Sequence, residues 1–208
     1  LITNGRLGLV ASALGVTDVN VELTDATISD AQYAAIDSAN GSGTIAVSGI
    51  SGTAYSAGVL IALDAAMSSA VILTGVTAIS GSAAELVTAV GSAGITRAGS
   101  EALTVDSGTA TATQANTLAF ATSGVVTATV AADTAANLVS ATGNAASTDA
   151  LTFTVSAGSV AASDLNTLDG RTNVAVNASA ATTITGTVSD LTTLIASAGV
   201  DRKSVVEG

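Results

Sequence analysis

One phrase of eight residues occurs twice, as Ser82-Ala-Ala-Glu-Leu-Val-Thr-Ala89 and as Thr134-Ala-Ala-Asn-Leu-Val-Ser-Ala141. A second pair is equally close, Ser163-Asp-Leu-Asn-Thr-Leu168 and Ser189-Asp-Leu-Thr-Thr-Leu194. The leucines inside these phrases, Leu86, Leu138, Leu165 and Leu191, stand 52, 27 and 26 residues apart, so the unit is about 26 residues long with one further copy between the first two. A chain made of copies of one short unit buries its apolar side chains by stacking each copy on its neighbours, because one copy has too little apolar surface to offset its own ordering entropy. The expected fold class is therefore α/β, a repeat solenoid of about 26 residues per coil with a parallel β-sheet stacked against short Ala-rich helices.

Periodicity inside the unit supplies the elements. Alternating apolar residues predict strands over 19–23, 44–47, 71–73, 102–105, 125–130 and 151–155, with two strand-like pieces over 174–176 and 183–188 in the last copy. Each strand is followed by a small-residue turn and then by a helix of two to three turns. Ser29, Ser56, Ser82, Thr111, Thr134, Ser163 and Ser189 mark the helix starts. The helices carry the expected structural core: Tyr33, Leu60, Leu86, Leu138, Leu165 and Leu191, with Leu118 in the irregular fourth copy. A strand that returns through a helical crossover must run parallel to its predecessor. The organisation is a partial repeat over 1–18, about seven strand-helix repeats over 19–200, and a tail or start of a further segment over 201–208. The chain reads as a piece of something longer. Alanines on the helices keep them thin, which predicts a gently curved rod, flatter than a leucine-rich repeat.

Composition narrows the chemistry. There is no His, Cys or Pro, and 16 acidic residues face 5 basic ones for a net charge of −11. A negative surface disfavours nucleic acid as a partner. Without His or Cys, the usual activated Ser or Cys nucleophiles lack their base, so no enzyme is expected. The longest apolar run is far short of the roughly 20 residues that a membrane helix needs, so no membrane span is expected.

Carboxylates remain as candidate ligands. Asp30, Asp164 and Asp190 share a position just inside a helix start, where the helix dipole favours a negative charge. Asp37, Asp64 and Asp169 share another, one residue past the second apolar residue of the helix, where the dipole gives no support. These three are the candidate metal residues, with calcium as the possible cation, although hard cations want six or more oxygens. Thr127 and Thr129 are expected to align with Thr152 and Thr154 in a ladder on the outer sheet face, a surface suited to ice, or simply to a solvated strand.

The strand-helix copies, the run Asp133-Thr-Ala-Ala-Asn-Leu138 and the lack of cysteine and proline resemble the repeat tracts of very large bacterial secreted surface proteins, with cyanobacterial S-layer-like and adhesin-like proteins closest. The resemblance implies an extracellular or cell-surface structural segment that forms a rod, filament or surface layer by self-association with like chains, with cell-surface glycan as a further partner. The alternative is a binding module that holds calcium, glycan or ice on its outer sheet face or its aspartate rows.

Overall fold

The computed structural model describes residues 21–22, 45–46, 54–66, 70–73 and 75–202. Tyr33, Asp30 and Asp37, the partial repeat over 1–18 and the last six residues of the expected tail lie outside them. The fold is mixed α/β with a central parallel sheet and six helices among the described residues. Contacts gather the chain into two compact units, Leu1–Gly81 with Glu85–Glu101, and Ser82–Ala84 with Ala102–Gly208.

In the first unit β1 (Val21–Glu22) pairs in parallel with β2 (Ile45–Ala46). Then β3 (Ala54–Ser56) runs directly into α1 (Ala57–Ala66), β4 (Val71–Ile72) follows, and β5 (Ala78–Ser82) runs directly into α2 (Ala83–Gly91), which is followed by β6 (Ile95–Thr96). Tyr55 lies opposite Ile79 and Val71 opposite Ile95, all four buried. These partners are 24 residues apart in both pairs, from 55 to 79 and from 71 to 95.

The second unit repeats the order. It contains β7 (Ala102–Ser107), α3 (Ala112–Ala121), β8 (Val126–Thr129), α4 (Ala135–Ala141), β9 (Ala150–Thr152), β10 (Gly158–Ala161), α5 (Ala162–Asp169), β11 (Val176–Asn177), β12 (Ala181–Thr185), α6 (Val188–Ala196) and β13 (Val200–Asp201). Leu103 lies opposite Val126 and Ala128 opposite Leu151, each 23 apart, and Val176 opposite Val200, 24 apart. Bridges between Ala110 and Val130, Asp133 and Val155, and Thr154 and Asn177 carry parallel pairing across the gaps.

Two sequence expectations are corrected here. The small-residue stretch ahead of a helix, expected as a turn, is itself a paired strand at β3, β5 and β10, whereas β12 overlaps the strand-like piece expected over 183–188. Glycine, serine and alanine have weak strand preference, so pairing with the neighbouring backbone, rather than propensity, makes these segments extended. Helix starts are 26 residues apart from Ala57 to Ala83 and from Ala162 to Val188, with steps of 29, 23 and 27 between Ala83, Ala112, Ala135 and Ala162, while paired strand residues are 23 or 24 apart. The difference is taken up between strand and helix: from Ala54 to the helix start is 3 residues and from its partner Ala78 is 5. Between β10 and β12 the register shift beside Gly158 and Ser159 takes the offset from 23 to 24, and the rest again falls before the helix: from Ala161 to the helix start is 1 residue and from its partner Thr185 is 3.

The helices bury one narrow stripe at spacing three: Ala57, Leu60 and Leu63 in α1, Ala83, Leu86 and Ala89 in α2, and Ala162, Leu165 and Leu168 in α5. Such a stripe suits a thin helix lying on a sheet. Leu138, between Ala135 and Thr142, is fully buried in the same way. Leu191 differs from the expected core set, being only half-buried, and Leu194 is the buried residue of α6.

Helix starts also depart from expectation in detail. Thr111 caps α3 in a reciprocal box with Gln114, and Thr134 caps α4. Ser163 and Ser189, however, lie inside the first turn. Ala161 stands at the start of α5 without a side-chain cap, and Thr187 caps α6 by accepting from the Asp190 N–H. In both helices the cap position, Ala161 or Thr187, falls two residues earlier than the serine.

Candidate functional site

The polar chemistry of the chain is concentrated where one repeat meets the next. At the end of α1, Asp64 Oδ2 accepts a hydrogen bond from the Ser92 hydroxyl, and Ser92 Oγ in turn accepts the Gly94 N–H at 3.1 Å. At the end of α5 the same three positions recur. Ser197 Oγ donates to Asp169 Oδ2 at 2.7 Å and accepts the Gly199 N–H at 3.0 Å.

Glycine is required at the third position. A Cβ on Gly94 would fall 1.7 Å from Asp64 Oδ1, and one on Gly199 would fall 1.8 Å from Asp169 Oδ1. The helix start is matched in the same way: a Cβ on Gly81 would sit 3.1 Å from that of Ala57, and one on Gly186 would sit 3.0 Å from that of Ala162. The aspartate carboxylates proposed from sequence as metal candidates are thus engaged with hydroxyls of the following repeat. Asp64 and Asp169 are served by separate serines, and Asp37 lies outside the described residues. Among the described residues no group of three or more acidic, His or Cys side chains is placed to hold a metal ion.

Sequence reasoning did not find Ser92 and Ser197. The signal exists as the matching runs Ser92-Ala-Gly-Ile-Thr-Arg97 and Ser197-Ala-Gly-Val-Asp-Arg202, each opening 28 residues after its aspartate.

A second set of polar groups is buried ahead of the strands. Glu101 is fully buried and accepts from the Ala98 N–H at 2.6 Å, the Gly99 N–H at 3.0 Å and Arg97 at 3.2 Å. Asp149 accepts from the Val126 N–H and from the Ala146 N–H, both at 2.9 Å. Thr172 Oγ1 accepts from the Leu151 N–H at 3.0 Å and donates to the Leu151 carbonyl at 2.7 Å. Asp149 and Thr172 therefore each satisfy a backbone N–H of the preceding repeat, which would otherwise be a buried orphan donor. Arg171 also reaches back a repeat, donating to the Val139 carbonyl and to Thr142 Oγ1.

On the sheet's outer side the threonines align differently from expectation. Thr129 lies opposite Thr152 and Thr104 opposite Thr127, while Thr154 faces Asn177 and Thr127 faces Ala150. Buried partners set this register: Ala128 must meet Leu151, and a shift of one residue would turn the apolar set of the strand to solvent. The expected pairing of Thr127 with Thr152 and Thr129 with Thr154 is accordingly replaced by a ladder two residues out of step.

The Asp133 carboxyl is held below the ordinary aspartate range, first by the Asn137 side-chain amide and then by the Thr134 N–H, with a small opposing effect of burial. It anchors the start of α4 through Oδ1. An open hollow of about 730 Å³ is lined by Asp169, Ser189, Thr192, Thr193, Ala196 and Ser197, a surface of hydroxyls with one carboxylate. Among the described residues no helix is long and apolar enough to cross a membrane.

No protein-family model, curated protein or solved structure matches this chain.

Proposed function

We propose that this chain is a structural repeat segment of an extracellular or cell-surface protein, an α/β solenoid whose coils stack into a rod, filament or surface layer and associate with like chains. The observation that carries this reading is the recurrence of one inter-repeat contact, Asp64 with Ser92 and Gly94, then Asp169 with Ser197 and Gly199, at the same 28-residue separation in both units. A contact that is copied between repeats fixes how one copy sits on the next, which is the task of a stacking unit rather than of a catalytic one. The acidic, lysine-poor composition suits a screened extracellular setting.

Negative-stain electron microscopy of the purified chain, with and without a calcium chelator, tests the reading. Uniform rods, filaments or sheets support it; compact particles under both conditions refute it. A binding module for calcium, glycan or ice is the second reading, and the hydroxyl-lined hollow beside Asp169 favours it. A rise in melting temperature with calcium or a glycan panel, or thermal hysteresis, would move it to the front.

A further inference from the structure

We propose that Asn177 is an N-glycan acceptor, its side-chain nitrogen taking an oligosaccharide from a lipid-linked donor. This rests on the extracellular reading above and adds a modification that the reading itself does not require.

The chain carries two Asn-x-Ser acceptor runs, Asn40-Gly41-Ser42 and Asn177-Ala178-Ser179. The first lies outside the described residues. The second sits where a strand leaves the sheet for a turn. Asn177 ends β11, and the Ala181 N–H closes the turn onto the Ala178 carbonyl at 3.1 Å, with Ser179 and Ala180 exposed between them. A bulky solvated sugar needs such a surface turn.

The strand sets which way the asparagine points. Val176 and Ala178 are buried, so the alternation along β11 turns the Asn177 side chain to the opposite, outer face. Asn177 has a neighbour on each side, Thr154 through a bridge and Asp201 of β13, which places it within the run of paired segments.

Its amide is oriented by the third residue of the motif. Asn177 Oδ1 accepts the Ser179 N–H at 3.1 Å and the Ser179 hydroxyl at 2.7 Å. A backbone N–H only donates, so the amide atom it meets is the oxygen, and the nitrogen lies on the other side. Asn137, Asn166 and Asn173 use that nitrogen as a donor, to Asp133 Oδ1, the Asp190 carbonyl and the Thr148 carbonyl. Asn177 Nδ2 makes no hydrogen bond among the described residues. Nor is it one of the buried polar atoms left without a partner, of which Asn166 Oδ1 is the single case among those residues, so it is open to solvent.

The fold therefore uses the oxygen of this amide and leaves the nitrogen for modification. In the transfer, Nδ2 bonds to the anomeric carbon of the donor sugar. The bond from that carbon to the lipid diphosphate breaks, the diphosphate leaves with the electron pair, and one amide proton passes to a base of the transferase. The product keeps the amide oxygen, so both Ser179 hydrogen bonds survive, and the proton that is lost made no contact in the fold.

Secretion of the 208-residue chain by a eukaryotic cell, which supplies donor and transferase, tests this by tandem mass spectrometry of the peptide that contains Asn177. The expected result is a glycan at Asn177 that is kept in Asn40→Gln and Ser179→Thr and lost in Asn177→Gln and Ser179→Ala. Ser179 is exposed, so Ser179→Ala should keep the wild-type circular dichroism, and its loss of the glycan then reports recognition rather than folding. The glycosylated chain should melt at the same temperature as the unmodified chain made in a host without the donor. An unmodified Asn177 in the secreted wild type, a glycan that survives Ser179→Ala, or a glycosylated chain that melts lower than the unmodified one would overturn the proposal. Electron microscopy of the same preparations judges the structural-repeat reading separately: rods with Asn177 unmodified leave that reading standing, whereas compact particles remove it whatever the state of Asn177.

Discussion

Replacing Gly199 with alanine puts a methyl group where the Asp169 carboxylate sits, with the new Cβ 1.8 Å from Oδ1 and 2.8 Å from Cγ. The backbone accepts the change, because Gly199 is not one of the glycines held at positive φ. Without Asp169 the substitution would stabilise the chain by roughly 0.4–1 kcal/mol through the unfolded state. With Asp169 in place, the carboxylate must turn away and give up the Ser197 hydroxyl, a hydrogen bond to a charged group worth about 1.5–3 kcal/mol. The group is only partly buried, so the lower half of that range applies, and the net loss comes to about 1–2 kcal/mol. The sign should therefore reverse with background: Gly199→Ala lowers stability in the wild type and raises it in Asp169→Ala, a coupling of about 2 kcal/mol. Urea unfolding at constant slope would read the wild-type loss as a fall of about 0.5–1 M in midpoint. Equal effects in the two backgrounds would refute the argument that Asp169 and Gly199 are fitted to each other. Gly94→Ala against Asp64→Ala is the same experiment in the first unit, with the methyl 1.7 Å from Oδ1.

Leu138→Asp puts a carboxylate at a fully buried position and should cost more than about 4 kcal/mol; an unchanged melting curve would contradict the repeat alignment that places Leu138 in the stripe. Thr172→Val keeps the side-chain shape but leaves the Leu151 N–H without its acceptor, so a loss of about 1–3 kcal/mol is expected, together with faster hydrogen exchange at Leu151, and retained protection there would count against the assignment. The Asp133 carboxyl should titrate below the ordinary aspartate value of about 3.9, and a folded-state value lower than the unfolded one means its stabilisation is present above that value and fades as pH falls through the folded one. Carbon-detected NMR titration should show Asn137→Ala moving the midpoint upward; a midpoint unmoved by that change would reject the Asn137 amide as the main cause.

The legible part of the fold lay in the side chains that repeat. Leu60, Leu86, Leu138 and Leu165 recur at one period with alanines before them, and all four are fully buried in helices. The parallel direction of the strands follows from the same order, since each returns through a helix. The strands ahead of α3, α4 and α6 were legible, but β3 and β10 were not, because Ala54–Ser56 and Gly158–Ala161 carry no alternation of bulky residues. At the contacts between repeats, Asp64 and Asp169 were marked by their shared position, but their partners were not. The matching Ser-Ala-Gly runs 28 residues on are present in the sequence, but only the fold sets the serine hydroxyl on the carboxylate.

The amino-acid sequence by itself determined the alternation of strand and helix and the buried leucines, because burial of a regular aliphatic stripe leaves a regular trace along the chain. Tertiary structure alone decided the register of 23 or 24 between strands, the two-residue offset of the threonine ladder, and the locking of each aspartate against the serine and glycine of the next repeat. Those depend on which backbone lies beside which. That choice is made by packing between neighbouring segments.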